Sequence, residues 1–271
     1  MNIPAKIKID TNIETVVFVG AGGTGGYIIP AAMHVLNSLP IVKKELINIY
    51  IVDMDVVEEK NILRQNFTYA DIGKYKAEVM AQRYGALYNL NVYYVTKPLD
   101  AEMLCGLPLG DRGLIIDAVD NVRTRKIIYD YCKDGNNGNI WISSGNSDKE
   151  GQITIYSPIR KLKRSVVDLW PGQFTAKAIK EEIATEERAN CALNAVVNPQ
   201  SVAINRTAGN IVSNILFQIF FDHEINYDVV MFDRYNTITK YNLNQPVFGA
   251  TQEQRSLLVE KFSQLSMAAS K

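Results

Sequence analysis

The stretch that most restricts how this chain can fold spans residues 16–55, where VVFVGAGGTGGYIIP is followed by an apolar run ending NIYIVDMD. A β-branched and aromatic run (Val16, Val17, Phe18, Val19) stops at Gly20. Glycines recur at Gly22, Gly23, Gly25 and Gly26 before an apolar, helix-like segment. A second hydrophobic run over 47–52 ends on Asp53. This order predicts a strand, a tight glycine turn, a helix and a second strand with a carboxylate at its tip. Glycines let the backbone turn sharply and approach phosphates, while the helix start offers unpaired N–H groups to an anion. A strand-tip carboxylate can accept hydrogen bonds from ribose hydroxyls. The glycines alone would also fit a turn that merely packs a helix closely on a sheet. The strand before, the helix after and Asp53 together point to a nucleotide site.

The rest of the chain is read around that unit. Its 271 residues suit one large α/β domain or a domain with an appended lobe. Hydrophobic content of 47% against 21% charged residues is that of a soluble globular protein. With 29 basic and 29 acidic side chains the formal charge is zero, which argues against a nucleic-acid or membrane surface. No run reaches the ~18 apolar residues of a membrane helix, and the first residues lack a signal-peptide pattern. Cys105, Cys132 and Cys191 form no CxxC pair and no even framework. That predicts a reducing compartment and, with no leader, a cytoplasmic location.

Residues 1–14 read as a polar lead-in with little to bury. A strand over 15–20 and a helix over 24–37 follow, with Pro30 early enough in the helix to kink rather than forbid it. Residues 38–46 read as a connection and 47–53 as the second strand. An irregular loop then leads to a helix over 74–88, with Asp71 as a cap upstream. Further strands are expected over 91–99, 113–120 and 141–145. A short helix and turn at 100–110 and a helix at 122–133 separate them. This alternation predicts a Rossmann-like α/β fold, a doubly wound and mainly parallel sheet. From 151–158 the pattern alternates apolar and polar, so antiparallel strands continue the sheet into the C-terminal half. Residues 159–190 are charged and irregular with a helix near 175–187. An apolar helix over 199–221 is expected in the core or against a partner subunit. A hairpin over 229–244 and a final amphipathic helix over 250–266 complete the chain.

Four clusters fall where parallel strands should end, the edge at which such sheets bind ligands. They are the glycine turn with Asp53 and Asp55; Asn61, Arg64 and Gln65; Lys76; and Asp120 with Asn121. Arg and Lys suit polyphosphate charge, and a nearby Asp can hold magnesium. The set serves ATP better than a nicotinamide cofactor. For an oxidoreductase the only histidines, His34 and His223, fall in an expected core helix and a loop. Taken singly, Arg64 and Lys76 could be surface charges and Asp120 a helix cap.

Five ordered blocks carry a resemblance: GAGGTGG, DMDVVEEKNILRQ, DIGKYKAE, IIDAVDNVRTR and SSGNSDKEGQITIYSP. The chain resembles the ThiF/MoeB/ubiquitin-activating-enzyme superfamily, which adenylates the C-terminus of ubiquitin-like proteins. That resemblance implies one adenylation domain, with residues 1–145 as the nucleotide-binding half and 146–271 as the half for partner binding and dimerisation. It implies ATP and magnesium, and a ubiquitin-like protein or peptide with a Gly-Gly-type tail as partner of a homodimer or heterodimer. On matching positions, Asp53 would bind the ribose, and Gly20, Gly22, Gly23 and Gly25 would shape the phosphate turn. Asn61, Arg64, Gln65 and Lys76 would contact the triphosphate, with Asp55 close by. Asp120 would hold magnesium, with Asn121 and Arg125 beside it. Catalysis would then rest on positioning and charge stabilisation.

Cys191 occupies a position resembling that of a thioester- or persulfide-forming cysteine in several members. Arg188 or a helix start could lower its pKa. The alternative is a small buried residue; Cys132, inside an apolar helix, is read as core and Cys105 as structural. The chain departs from the family in two respects. It lacks the two CxxC pairs of members that hold a structural zinc, so none is expected. Residues 1–15 contain Lys6 and Lys8 but no arginine to reach a partner's ATP site. That omission removes transition-state charge stabilisation unless another subunit or a lysine replaces it. A catalytically weak, partner-binding member is therefore the alternative to an active adenylyltransferase.

Overall fold

The computed structural model describes residues 6–9, 12–62, 64–133, 138–191, 202–243, 245 and 247, with the side chains of 186–191 excepted. In chain order the strands are β1 (Ile7–Lys8), β2 (Thr15–Val19), β3 (Asn48–Val52), β4 (Val92–Val95), β5 (Gly113–Asp117), β6 (Ile140–Asn146), β7 (Glu150–Tyr156), β8 (Glu224–Ile225), β9 (Tyr227–Asp233) and β10 (Ile238–Asn242). The α-helices are α1 (Gly25–Asn37), α2 (Ile41–Leu46), α3 (Glu59–Ile62), α4 (Lys76–Tyr88), α5 (Ala101–Gly106), α6 (Val122–Lys133), α7 (Val166–Leu169), α8 (Ala176–Cys191) and α9 (Val202–Phe217).

Eight strands form one sheet in the order β10-β9-β7-β6-β5-β2-β3-β4. Strands β4, β3, β2, β5 and β6 run parallel. From β6 to β7, β7 to β9 and β9 to β10 the pairing is antiparallel. The α/β class and the change of strand direction therefore match expectation. Every residue of β2 and β5 is buried, as strands covered by helices on both faces must be. Alternation still assigns each side chain to one layer. Val16, Phe18, Leu114 and Ile116 join the core beneath α1, α4 and α9. Val17, Val19, Ile115 and Trp141 join the core beneath α5 and α6.

Helix α9 belongs to the core: Ile204, Ala208, Ile211, Val212, Ile215 and Leu216 are buried. Its backbone passes so near α1 that a Cβ on Gly209 would sit 2.7 Å from the Tyr27 carbonyl oxygen. That approach brings the start of α9 to the glycine turn.

Several boundaries differ from the sequence reading. Residues 41–46 form α2 rather than a connection; the helix buries no residue, so no apolar periodicity announces it. The lead-in buries Ile9 and Ile13, and β1 pairs with β8. Strand β5 ends at Asp117, three residues short of expectation, because the chain turns off through Ala118 and Val119. Residues 166–169 form a helix set by a reciprocal Ser165–Asp168 capping box. Cys105 is exposed rather than structural, and His34 is exposed on α1. Cys132 is fully buried, and desolvation pushes its thiol up to about 12, which fits a core residue. The expected helix over 250–266 lies outside the described residues. Among the described residues no helix is long and apolar enough to cross a membrane.

Candidate nucleotide site

The sheet changes winding between β2 and β5: the chain proceeds outward from β2 through β3 to β4, and from β5 through β6 to the other edge. Loops leaving the C-terminal ends of such a pair diverge, which opens a crevice there. The glycine turn leaves β2 at this point. Gly20 has φ +92°, a conformation L side chains rarely adopt, and its N–H donates to the Val52 carbonyl at 2.9 Å. A Cβ on Gly25 would stand 1.9 Å from the Gly20 carbonyl oxygen, so the turn closes only with glycine there. The Gly26 N–H donates to the Gly22 carbonyl at 2.8 Å, so helical bonding begins at Gly22, which has no side chain to cap it. A Cβ there would meet nothing within 4 Å. The turn, Gly23 included, thus presents a helix start whose first N–H groups lack intrahelical acceptors.

Asp53 closes one side of the turn. One carboxylate oxygen accepts the Ala21 N–H at 2.6 Å and the other the Asp55 N–H at 2.9 Å. Burial pushes this carboxyl up, against the backbone donors and the Lys76 charge that favour its ionised form. Each oxygen keeps a lone pair for a further donor. Lys76 is only 6% exposed, and its ammonium donates to Asp55 at 2.7 Å. Backbone pairing delivers it. Val57 N–H donates to Lys74 O, Gly73 N–H to Val57 O and Lys76 N–H to Asp55 O, lacing the segment after β3 to the start of α4. Upstream, Asp71 accepts from the Thr68 N–H and from Arg83 and is buried. Burial raises its carboxyl, but those donors outweigh it and hold the group below its ordinary value. Asn61 is buried at the end of the same loop. Its Oδ1 accepts the Glu58 N–H, and its carbonyl accepts from Arg64 and Gln65. Arg64 and Gln65 are half-buried, and Gln65 Oε1 has no donor among the described residues.

Across the switch point, the block IIDAVDN sets two carboxylates three positions apart in opposite environments. Asp117 is fully buried, accepting from Trp141 Nε1 at 2.6 Å and Arg125 Nε at 3.3 Å. Arg125 also donates to the carbonyls of Val119 (2.6 Å) and Ser144 (2.9 Å). Asp120 is exposed. It faces a cleft of about 240 Å³ lined by Thr24, Arg125, Asn146, Glu150 and Gln152 among others. Asn121 caps α6 by accepting the Thr124 N–H at 2.9 Å. The Glu182 carboxylate of α8 accepts the Val122 and Arg123 N–H groups at the same helix start.

The structure therefore brings the glycine turn, Asp53, Asp55 and Lys76 together on one side. On the other it sets Asp120 and Arg125 on one cleft, with Thr24 reaching it from the turn. Arg125, expected beside the nucleotide, is chiefly engaged with Asp117 and two carbonyls. Lys6, one of the two lysines considered as a replacement cation, is ion-paired with Glu224 on β8. Cys191 is the last residue of α8; its side chain and residues 192–201 lie outside those described, and so does the choice between nucleophile and core residue.

Sequence reasoning missed a buried polar group. The Thr24 hydroxyl donates to Asn146 Oδ1 at 2.7 Å and lies 3.1 Å from Asn205 Oδ1; Asn146 Nδ2 donates to Asn205 Oδ1 at 2.7 Å. The available signal was weak, since Asn205 is one of three asparagines in the helix pattern and only the fold makes it the buried one.

These features have relatives. The sequence matches the profile of the ThiF family over residues 10–251. Among solved structures, Escherichia coli MccB with succinimide superposes with TM-score 0.59 at 17% identity, over 89% of this chain and 67% of that one. MccB with ATP gives 0.56 at 17% identity, over 89% and 67%. PaaA gives 0.59 at 18% identity, over 86% and 65%, so the chain spans about two thirds of these neighbours. No curated protein matches it in sequence. A switch-point glycine turn, a strand-tip Asp53 beside the Asp55–Lys76 pair and a profile match over nearly the whole length agree, and the chain belongs to the ThiF family.

Proposed function

We propose that the protein is an ATP-dependent adenylyltransferase that activates the C-terminal carboxylate of a peptide or ubiquitin-like protein. The observation that carries this reading is the open helix start at Gly22, flanked by Asp53 and Lys76 on one side and by the Asp120 cleft on the other. Two facts about MccB support it: it has been solved with ATP, and it is described as a microcin C7 biosynthetic enzyme in complex with N-formylated MccA.

In this reading the first-turn N–H groups of α1 receive phosphate oxygens, and Asp53 accepts from the ribose. Lys76 and Arg64 offset the triphosphate charge, with Asn61 and Gln65 beside them. A carboxylate oxygen of the substrate attacks the α-phosphorus; the bond from that phosphorus to the bridging oxygen breaks, and pyrophosphate leaves with its electron pair. The chain positions and neutralises and forms no covalent bond in this step. Asp120 is the residue that would hold magnesium. Its exposure at the cleft fits a cation shared with phosphates rather than caged by protein. The ion would supply charge neutralisation on the departing pyrophosphate. A Gly-Gly-type tail, a dimeric assembly and a later thioester or persulfide on Cys191 extend the proposal.

The test is exchange of labelled pyrophosphate into ATP in the presence of peptides with a free C-terminus, Gly-Gly-tailed ones included. Peptide-dependent exchange is expected, and Asp120→Ala abolishes it while the circular dichroism stays unchanged. ATP binding without exchange for any such substrate would establish the weak, partner-binding reading, which the engagement of Lys6 with Glu224 favours.

A further inference from the structure

The start of α9 contributes to the glycine turn a group for which the proposed reaction has no use. Asn205 is fully buried on a helix whose neighbouring inward residues, Ile204, Ala208, Ile211 and Val212, are apolar. Its Nδ2 has no acceptor among the described residues. An amide donor buried without a partner is destabilising, and an apolar side chain would avoid that penalty. What the asparagine supplies is Oδ1. That oxygen takes the Asn146 amide at 2.7 Å, and Asn146 in turn takes the Thr24 hydroxyl at 2.7 Å. Thr24 lies in the first turn after Gly22, and Thr24 and Asn146 both line the cleft. The Thr24 side chain makes no capping bond to α1, so its hydroxyl is committed to this network rather than to its own helix.

We propose that Asn205 is a positioning residue of the nucleotide site. Without touching the ligand, it holds Asn146, and through it Thr24, so that the first turn of α1 and the cleft wall keep the geometry that receives phosphates. The proposal rests on the ATP reading. It makes the nucleotide site depend on a helix from the far half of the chain.

The test measures binding of ATP with magnesium to the full chain by calorimetry, for wild type, Asn205→Ala, Thr24→Val, Thr24→Ser and the Thr24→Val/Asn205→Ala double variant. Asn205→Ala and Thr24→Val are each expected to weaken ATP by about tenfold, the size of one lost hydrogen bond. Thr24→Ser keeps the hydroxyl and restores affinity, and the double variant binds no more weakly than the poorer single one. Three results overturn the proposal: wild-type affinity in Asn205→Ala, additive losses in the double variant, or Thr24→Ser as weak as Thr24→Val, which would indicate methyl packing. If Asn205→Ala does not fold, the Thr24 pair decides: Val weak with Ser normal supports the proposal, and any other pattern overturns it. A wild-type chain without ATP affinity overturns the nucleotide reading and this proposal together. ATP bound by wild type and equally by Asn205→Ala overturns this proposal alone.

Discussion

After β2 the chain offers a ligand its backbone: a glycine at positive φ, a helix start without a cap, and a neighbouring carboxylate held by two N–H groups. After β5 it offers side chains, and most are already spent. Arg125 is committed to Asp117 and two carbonyls, Asn121 caps its own helix, and Glu182 occupies the start of α6. Of Asp117, Asp120, Asn121 and Arg125, Asp120 alone is exposed. Two βα units of one sheet thus divide the work. One is shaped for an anion by leaving side chains out. The other is a buttress of buried side chains that carries one exposed carboxylate, Asp120.

Substitutions can break this contrast. The largest effect belongs to the turn itself. Gly25→Ala must move a Cβ off the Gly20 carbonyl and is expected to cost about 4 kcal/mol or more in urea unfolding, or to leave no folded protein. Gly22→Ala, with open space around its Cβ, should stay within about 0.5 kcal/mol of wild type while weakening ATP in a binding titration. Equal destabilisation by both would mean that the turn is uniformly packed and not open to a ligand.

Next come the two aspartates. Asp117→Asn strands the buried Arg125 charge and should cost about 3 kcal/mol by denaturant midpoint. Asp120→Asn should leave that midpoint within about 0.5 kcal/mol of wild type yet remove exchange activity. A reversal of the two would exchange the structural and chemical roles assigned here.

The smallest effect tests the support of the first tip. Asp71 sits in the capping box that leads the chain toward Lys76, and its folded-state pKa lies below the unfolded one. Its contribution is therefore present above the unfolded value, near 4, and is lost as pH falls through the folded value. Asp71→Asn should cost about 1 kcal/mol at neutral pH, a figure already reduced for the partly exposed Arg83. The variant and wild-type stability curves should converge as pH falls through the folded value; a gap that does not shrink on acidification would remove the carboxylate from the explanation.

The sequence made the first tip more legible than the second, for a physical reason. Gly20, Gly22 and Gly25 act through local backbone shape, and Asp53 through its place at a strand end, both of which are written within a few residues. Lys76 was legible as a cation near a helix start. Its partner Asp55, 21 residues earlier, emerges only when Val57 and Gly73 pair across the loop. In IIDAVDN the pattern could not tell which carboxylate is buried. That depends on Trp141 and Arg125, brought in by β6 and α6. Helix α2 left no periodicity to read because it buries nothing, and Asn205 acquired its meaning only when Gly209 let α9 lie against α1.

The Glu182 carboxylate at the start of α6 has a consequence for orientation. Two helices, α1 and α6, begin at the same edge of the sheet, and each start carries partial positive charge. One is already neutralised from within by a residue 60 positions away. Of these two helix starts only that of α1 is left without a side-chain carboxylate, and the cleft beyond it carries Asp120 and Glu150. Under the proposed reading the edge is keyed like a plug socket: with the ribose at Asp53, the polyphosphate runs from the open start of α1 toward the Asp120 cleft, and its uncharged end points away from the sheet's antiparallel half.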